Sequence, residues 1–539
     1  MMLNRFFQPI KFYIKAAGLI LVFSSSVVLP AMAQQCTAPF ETITRLRHPL
    51  PGAFALWNTV YGEEGRRERF ISAVGVKGNH VVVAGDVVVV KGVKPALLLA
   101  ELDQRGRVVW ERIHNIPHLK NIQKIIKNGD QGYVVLAHEH KRSAKQKIWL
   151  GFFDVSGKLV SQKYLSDKKD DYTAKDIQPR VDGSGWIIPV SVSRSTGVGD
   201  AGDVYKKAHI LLLDKKGKPV KDRAYVLGLK TNISKLYGSK FRDQLDGYIA
   251  TGYFENDNGK KIAWAVRIGA DLSMVWQKEF SRGQSANIVS NAVTPDGDVL
   301  ALANIKTADS LSDGVWFARL EGTSGELLWQ RYYGAQTGRH DYSAEDVIIN
   351  KDGLIDIMMM ARYNPKTTAS KREDLTPPEI AHITAIKGYG VSEKSNYAHM
   401  LTLTPRGVTL SGDAFYLGEK GVVKELNHDS KGRRIFSGYG VVPIEDTLKN
   451  KHAVKSASEV ETPLQDATDV RLPDVELSDK TKKGLALLQK KIGAGALNVQ
   501  NEDDELHSES DKMSHKDKLV TKGWVILGDA ADPYKDPCK

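Results

Sequence analysis

Cysteine is nearly absent from this chain: Cys36 and Cys538 are the only two in 539 residues. Thiolate metal centres and densely stapled scaffolds are thereby excluded. Aromatic residues make up 8% of the chain and nowhere interleave with clustered Arg and Lys, so no nucleic-acid partner is expected. The sequence contains no His-Glu-x-x-His, no Gly-x-Ser-x-Gly and no Walker loop, which removes the common zinc-protease, serine-hydrolase and nucleotide-binding readings. Long apolar runs are also missing. The one candidate, residues 16–30, is about 15 residues long and too short to span a bilayer comfortably.

That apolar run has another reading. Arg5, Lys11 and Lys15 precede it, and Ala31-Met32-Ala33 follows as a small-residue cleavage site. Residues 1–33 therefore read as a cleaved signal peptide, giving a periplasmic or secreted protein with no transmembrane segment after cleavage. Gln35, not a small residue, stands before Cys36, which argues against lipidation. In an oxidising compartment Cys36 and Cys538 are a candidate disulfide, with two free terminal thiols as the alternative. The formal net charge is +12. This favours an anionic partner, or simply keeps the protein soluble.

What the chain has in abundance is a repeat. A short apolar strand leads through a Gly/Asp turn into a second strand. A third strand ends in Leu-Asp or similar, and a Gly turn leads to a fourth, often bearing Trp. Residues 70–74, 81–85, 96–103 and 108–112 form one copy, and 288–293, 299–303, 315–320 and 327–331 another. Trp276 and Trp329 are 53 residues apart, and Trp264 and Trp316 are 52 apart. A period near 50 with four strands is the signature of a propeller blade. The expected fold is all-β: a single propeller of about seven four-stranded blades over residues 54–442. Residues 34–53 form a lead-in. The segments 171–177 and 341–347 echo each other, and read as a hydrogen-bonding turn ahead of the innermost strand. A paired-carboxylate site is the sharper alternative.

Closure is legible as well. Residues 55–62 look like a final blade strand with none before them, and 422–426, 434–438 and 523–528 supply three strands without a fourth. The N-terminal strand would complete the last blade, removing exposed edges and bringing Cys36 toward Cys538. That blade is interrupted by residues 443–518, a charged, aromatic-poor insertion expected to be mobile, with a helical stretch at 478–497. Residues 519–539 carry the last strand and tail.

The phrase Leu-Asp-x-x-Gly-x-x-x-Trp at residues 102–110 resembles the repeats of bacterial quinoprotein-like (PQQ-like) propellers. The resemblance implies the fold. The quinoprotein enzymes also carry a vicinal Cys pair and calcium-binding acids, and this chain has no Cys-Cys pair, so no cofactor is expected. His138 and His140 would share one strand face, but a third metal ligand is not visible, and no metal site is expected. Asp182-Gly183, Asp296-Gly297 and Asp352-Gly353 read as hairpin turns, and Met358-Met359-Met360 as core. No catalytic residue is assigned. The expectation is a non-catalytic scaffold presenting ring-face loops to an envelope protein or anionic polymer. The alternative is a hydrolase or lyase on an anionic glycan, with its site in the central funnel.

Overall fold

The computed structural model describes residues 55–443, apart from 62–65, 89–94, 141–144, 167–169, 195–204, 229, 242–243, 307–312, 335–339, 365–381, 386–393, 419 and 430. It also describes 458–461, 468–471 and 519–528. Cys36, Cys538, the signal segment and the 478–497 stretch lie outside the described residues.

The chain is all-β, in four-stranded antiparallel units. Strand β1 (Ala55–Tyr61) comes first in sequence but belongs to the last unit. Sheet 1 holds β2 (Arg67–Gly75), β3 (Val81–Val88), β4 (Ala96–Leu102) and β5 (Val108–His114). Sheet 2 holds β6 (Leu119–Lys127), β7 (Tyr133–Glu139), β8 (Lys147–Phe153) and β9 (Leu159–Ser166). In sheet 3 the first strand is split into β10 (Asp171–Ala174) and β11 (Gln178–Pro179), followed by β12 (Gly185–Arg194), β13 (Tyr205–Asp214) and β14 (Pro219–Tyr225). Sheet 4 is β15 (Lys230–Phe241), β16 (Gln244–Glu255), β17 (Lys261–Gly269) and β18 (Met274–Phe280). One parallel bridge, Lys206 to Lys230, joins sheets 3 and 4.

Sheet 5 is β19 (Ser285–Val293), β20 (Val299–Lys306), β21 (Asp313–Leu320) and β22 (Leu327–Tyr333). Sheet 6 is β23 (His340–Ile349), β24 (Ile355–Tyr363), β26 (Asn396–Leu403) and β27 (Thr409–Gly418), with β25 (His382–Ala385) added beside β27. Sheet 7 is β28 (Val422–His428), β29 (Arg434–Pro443), β32 (Leu519–Gly528) and β1. The N-terminal strand thus completes the last sheet, as its sequence pattern suggests. Two further strands from within 443–518, β30 (Ser458–Glu461) and β31 (Thr468–Arg471), pair in parallel with β5 and β9.

Each unit is apolar on both faces because each is covered on both. Trp149, Trp264 and Trp316 are fully buried. The buried hydrophobics divide into clusters shared by consecutive sheets: 1 with 2, 2 with 3, and onward to 6 with 7. A further cluster joins Tyr61, Ile435 and Val525 of sheet 7 to Phe70, Val83 and Leu98 of sheet 1. Stacking of this kind lets repeats that cannot bury both faces alone form one core. This is a β-propeller-like repeat fold.

The repeat phrase has a structural duty for every letter. Asp103 Oδ1 accepts the Arg105 and Arg107 amides, and Asp154 and Asp214 do the same in sheets 2 and 3. Gly106, Gly157, Gly217, Gly325 and Gly407 hold positive φ between 73° and 79°, a region that glycine enters without steric cost. The tryptophan then packs on the next sheet's turn. A Cβ on Gly157 would come within 2.5 Å of the Trp110 ring, and one on Gly325 within 2.8 Å of Trp276. Sequence phrases of this type therefore specify inter-sheet packing, not activity.

Candidate functional site

The first strands of the sheets bring polar side chains together near the middle of the fold. In six of them the register shifts at a bulge. The residue closing that bulge is Ser72, Lys124, Lys235, Ser290, Asp346 or Glu425. In sheet 3 the strand breaks at the same point, and Asp176 lies in the gap between β10 and β11. A bulge re-aims a side chain and leaves backbone amides to be satisfied elsewhere.

Those amides are satisfied by the preceding sheet. Ser72 Oγ accepts the Ile125 amide at 3.0 Å, Asp176 accepts Leu236 at 3.1 Å, and Ser290 accepts Val347 at 3.2 Å. Asp346 accepts Leu426 at 3.4 Å, and Glu425 accepts Ala73 at 2.8 Å. The acceptor is each time the special residue of one sheet. The donor is the residue just after the special residue of the next, and sheet 7 reaches sheet 1 in the same way. Lysine cannot accept, so sheets 2 and 4 contribute cations instead. Lys124 Nζ lies 2.7 Å from Asp176 and 4.0 Å from Glu425, and Lys235 Nζ lies 3.0 Å from Asp346. The serines complete the set: Ser72 donates to Glu425 at 2.6 Å and Ser290 to Asp346 at 2.5 Å.

Electrostatics follow from this packing. Burial alone would raise the Asp176 pKa, but the Lys124 and Lys235 charges and its hydrogen bonds outweigh burial and hold it below the ordinary carboxylate range. Burial raises Glu425 against the pull of Lys124. Burial opposes the charge on Lys235, yet Asp346, Asp176 and Glu425 raise its pKa. Buried charges persist where they are paired and hydrogen-bonded, as here.

The echo of 171–177 in 341–347 is therefore not a turn before the innermost strand. It belongs to the innermost strand itself: Asp346 closes the bulge of β23, and Asp176 sits where that strand breaks between β10 and β11. They do not form a carboxylate pair: Asp176 binds Lys124 and Asp346 binds Lys235. One signal could have revealed five of the seven. A polar residue stands seven positions before a left-handed turn residue in Ser72/Asn79, Asp176/Gly183, Ser290/Gly297, Asp346/Gly353 and Glu425/Gly432.

Other polar groups take structural places. His138 is 4% exposed and its Nε2 accepts the Ala174 amide at 2.9 Å, while His140 lies past the end of β7 and is exposed. Burial pushes the His138 pKa down to about 4. All three expected turns form, capped by Asp182 at the first but by Thr294 and Asn350, two residues before the Asp-Gly pair, at the others, and Met358, Met359 and Met360 are buried. Between sheets 6 and 7, fully buried Arg434 grips Asp356 through two nitrogens, at 2.8 and 2.9 Å, with His428 at 3.0 Å. Within sheet 6, His399 is 3% exposed between Tyr342 and Tyr397, with ring centroids 5.2 and 4.6 Å away. Burial pushes its pKa down to about 3. Among the described residues no group of three or more His, Cys, Asp or Glu is placed to hold a metal ion.

No protein-family model matches the chain, and no curated protein matches it. Solved structures resemble it only in outline. A protein of unknown function from Dyadobacter fermentans aligns at 13% identity and TM-score 0.40, covering 73% of this chain and 96% of that one. An acylaminoacyl peptidase from Pyrococcus horikoshii aligns at 10% identity and TM-score 0.37, covering 69% of this chain and 49% of that one. A virginiamycin B lyase from Staphylococcus aureus aligns at 12% identity and TM-score 0.35, covering 71% and 96%. None of the three carries an activity over to this chain.

Proposed function

We propose that the chain is an exported binding scaffold: a closed seven-bladed propeller, held in the periplasm or secreted, that presents its loops to an envelope protein or anionic polymer. The observation that carries this reading is the commitment of the axial carboxylates. Asp176, Asp346 and Glu425 are each tied to a neighbouring sheet's amide and to a Lys or Ser. A general base must have a lone pair within reach of a substrate proton, and the hydrogen bonds that these carboxylates make hold sheets together. Rigid rings with variable loops suit binding. The net charge of +12 suits an anionic partner. Closure is supported by the Glu425 link to Ser72 and the apolar cluster shared by sheets 7 and 1. A Cys36–Cys538 disulfide would tie together the two chain ends, whose nearest strands β1 and β32 are paired in sheet 7.

The test is affinity capture from envelope extracts with the mature protein, with and without reductant, read by mass spectrometry. A reproducible protein or polymer partner is expected. Turnover of a co-purifying glycan would overturn the scaffold reading in favour of a hydrolase or lyase.

A further inference from the structure

The outer strands of the sheets share a design that nothing above uses. Each of the first five carries an aliphatic residue on a bulge at its start: Val109, Val160, Val220, Val275 and Leu328. These are 50%, 61%, 60%, 57% and 42% exposed. Three residues further on, every one of these strands carries a base: Arg112, Lys163, Arg223, Lys278 and Arg331. The register confirms the equivalence, because these bases face Leu99, Leu150, Ile210, Ala265 and Phe317, one matching position in each third strand.

Two of the five edges are occupied. β30, Ser-Glu-Val-Glu, pairs in parallel with β5 and sets Glu459 in register with Arg112. β31, Thr-Asp-Val-Arg, pairs in parallel with β9, with Thr468 and Asp469 in register with Lys163 and Tyr164. Sheet 6 inverts the charge: Asp413 takes the place of the base, and β25 sets His382 in register with it. Among the described residues nothing pairs with the outer edges of β14, β18 and β22. Bulges and edge cations ordinarily discourage strand addition. They do not forbid it here, because β5 and β9 carry both and are paired.

We infer that β14, β18 and β22 receive an extended acidic peptide of a partner protein by parallel strand addition, its carboxylates matched to Arg223, to Arg331 and to Lys278, which the peptide would share with Glu326. Main-chain hydrogen bonds would supply affinity and the charge register specificity, as in other strand-addition complexes. This inference rests on the scaffold reading and names the partner class.

The probe is a fluorescein-labelled peptide with the sequence of residues 456–462, titrated into the full chain and followed by anisotropy. Saturable binding is expected. It should weaken about tenfold or more in the triple variant Arg223→Glu, Lys278→Glu, Arg331→Glu at unchanged far-UV circular dichroism. It should vanish when the peptide backbone is N-methylated at its valine. Amide exchange on the wild-type chain should show added protection in β14, β18 or β22. No binding, equal binding by the N-methylated peptide or the folded triple variant, or protection confined to other strands would overturn the inference. An envelope partner whose capture ignores the triple variant leaves the scaffold reading standing and removes this one.

Discussion

Glu425 accepts the Ser72 hydroxyl at 2.6 Å across 353 residues of sequence, joining the first strand of sheet 7 to the first strand of sheet 1. The same carboxylate takes the Ala73 amide at 2.8 Å. Five of the seven inter-sheet steps repeat this side-chain-to-amide bond, which makes the junction one link of a repeated device.

Replacing Glu425 by Ala strands a buried amide and a buried hydroxyl. Each costs about 1–3 kcal/mol, so a loss of about 2–6 kcal/mol is expected in urea unfolding. Glu425→Gln keeps an acceptor and should lose clearly less. Equal losses for the two variants would contradict the assigned bond.

The buried histidines set an acid limit. Burial pushes His138 and His399 from the ordinary histidine pKa of about 6.5 down to about 4 and about 3. Between these values the unfolded chain binds protons that the folded chain does not. Stability therefore falls as pH drops below about 6.5, by about 1.4 kcal/mol per pH unit for each histidine. Urea midpoints measured from pH 7 to pH 4 should decline, and His399→Phe should flatten the slope by about one proton. A variant slope parallel to wild type would show that His399 is not held neutral.

Gly157 and Gly183 separate two costs. Both have positive φ, 78° and 66°. A Cβ at Gly183 meets nothing within 4 Å, whereas at Gly157 it meets the Trp110 ring. Gly183→Ala should cost about 1–2 kcal/mol for the left-handed backbone alone. Gly157→Ala should add about 1–3 kcal/mol of overpacking, visible as a lower Tm in thermal unfolding. Similar Tm values would mean the interlock is slack.

Leu272 occupies the position that glycine holds in other sheets, with φ of 66°. The strain of about 1–2 kcal/mol is outweighed by its complete burial, since losing a buried leucine side chain costs about 2–5 kcal/mol. Its carbonyl also accepts Tyr225 Oη at 2.8 Å. Leu272→Gly should thus destabilise despite relieving the backbone, and a gain in the urea midpoint would reverse that ranking.

Much of this fold is legible in the linear chain because its determinants are local. Asp103, Gly106 and Trp110 lie within nine residues and encode a cap, a left-handed turn and a packing knob. Short apolar runs between Gly and Asp turns mark the inner strands, and a lone strand at 55–61 against three at 422–528 implies their union in sheet 7. The centre was not legible. Ser72, Lys124, Asp176, Lys235, Ser290, Asp346 and Glu425 differ in size and charge, and each means little within its own strand. Only stacking of the sheets brings them within hydrogen-bond distance, where an acceptor is needed to satisfy the next sheet's bulged amide and a lysine to balance neighbouring carboxylates. The placement of β30 and β31 was hidden for the same reason, since parallel pairing on an outer edge depends on which strand lies alongside and leaves no local period to read.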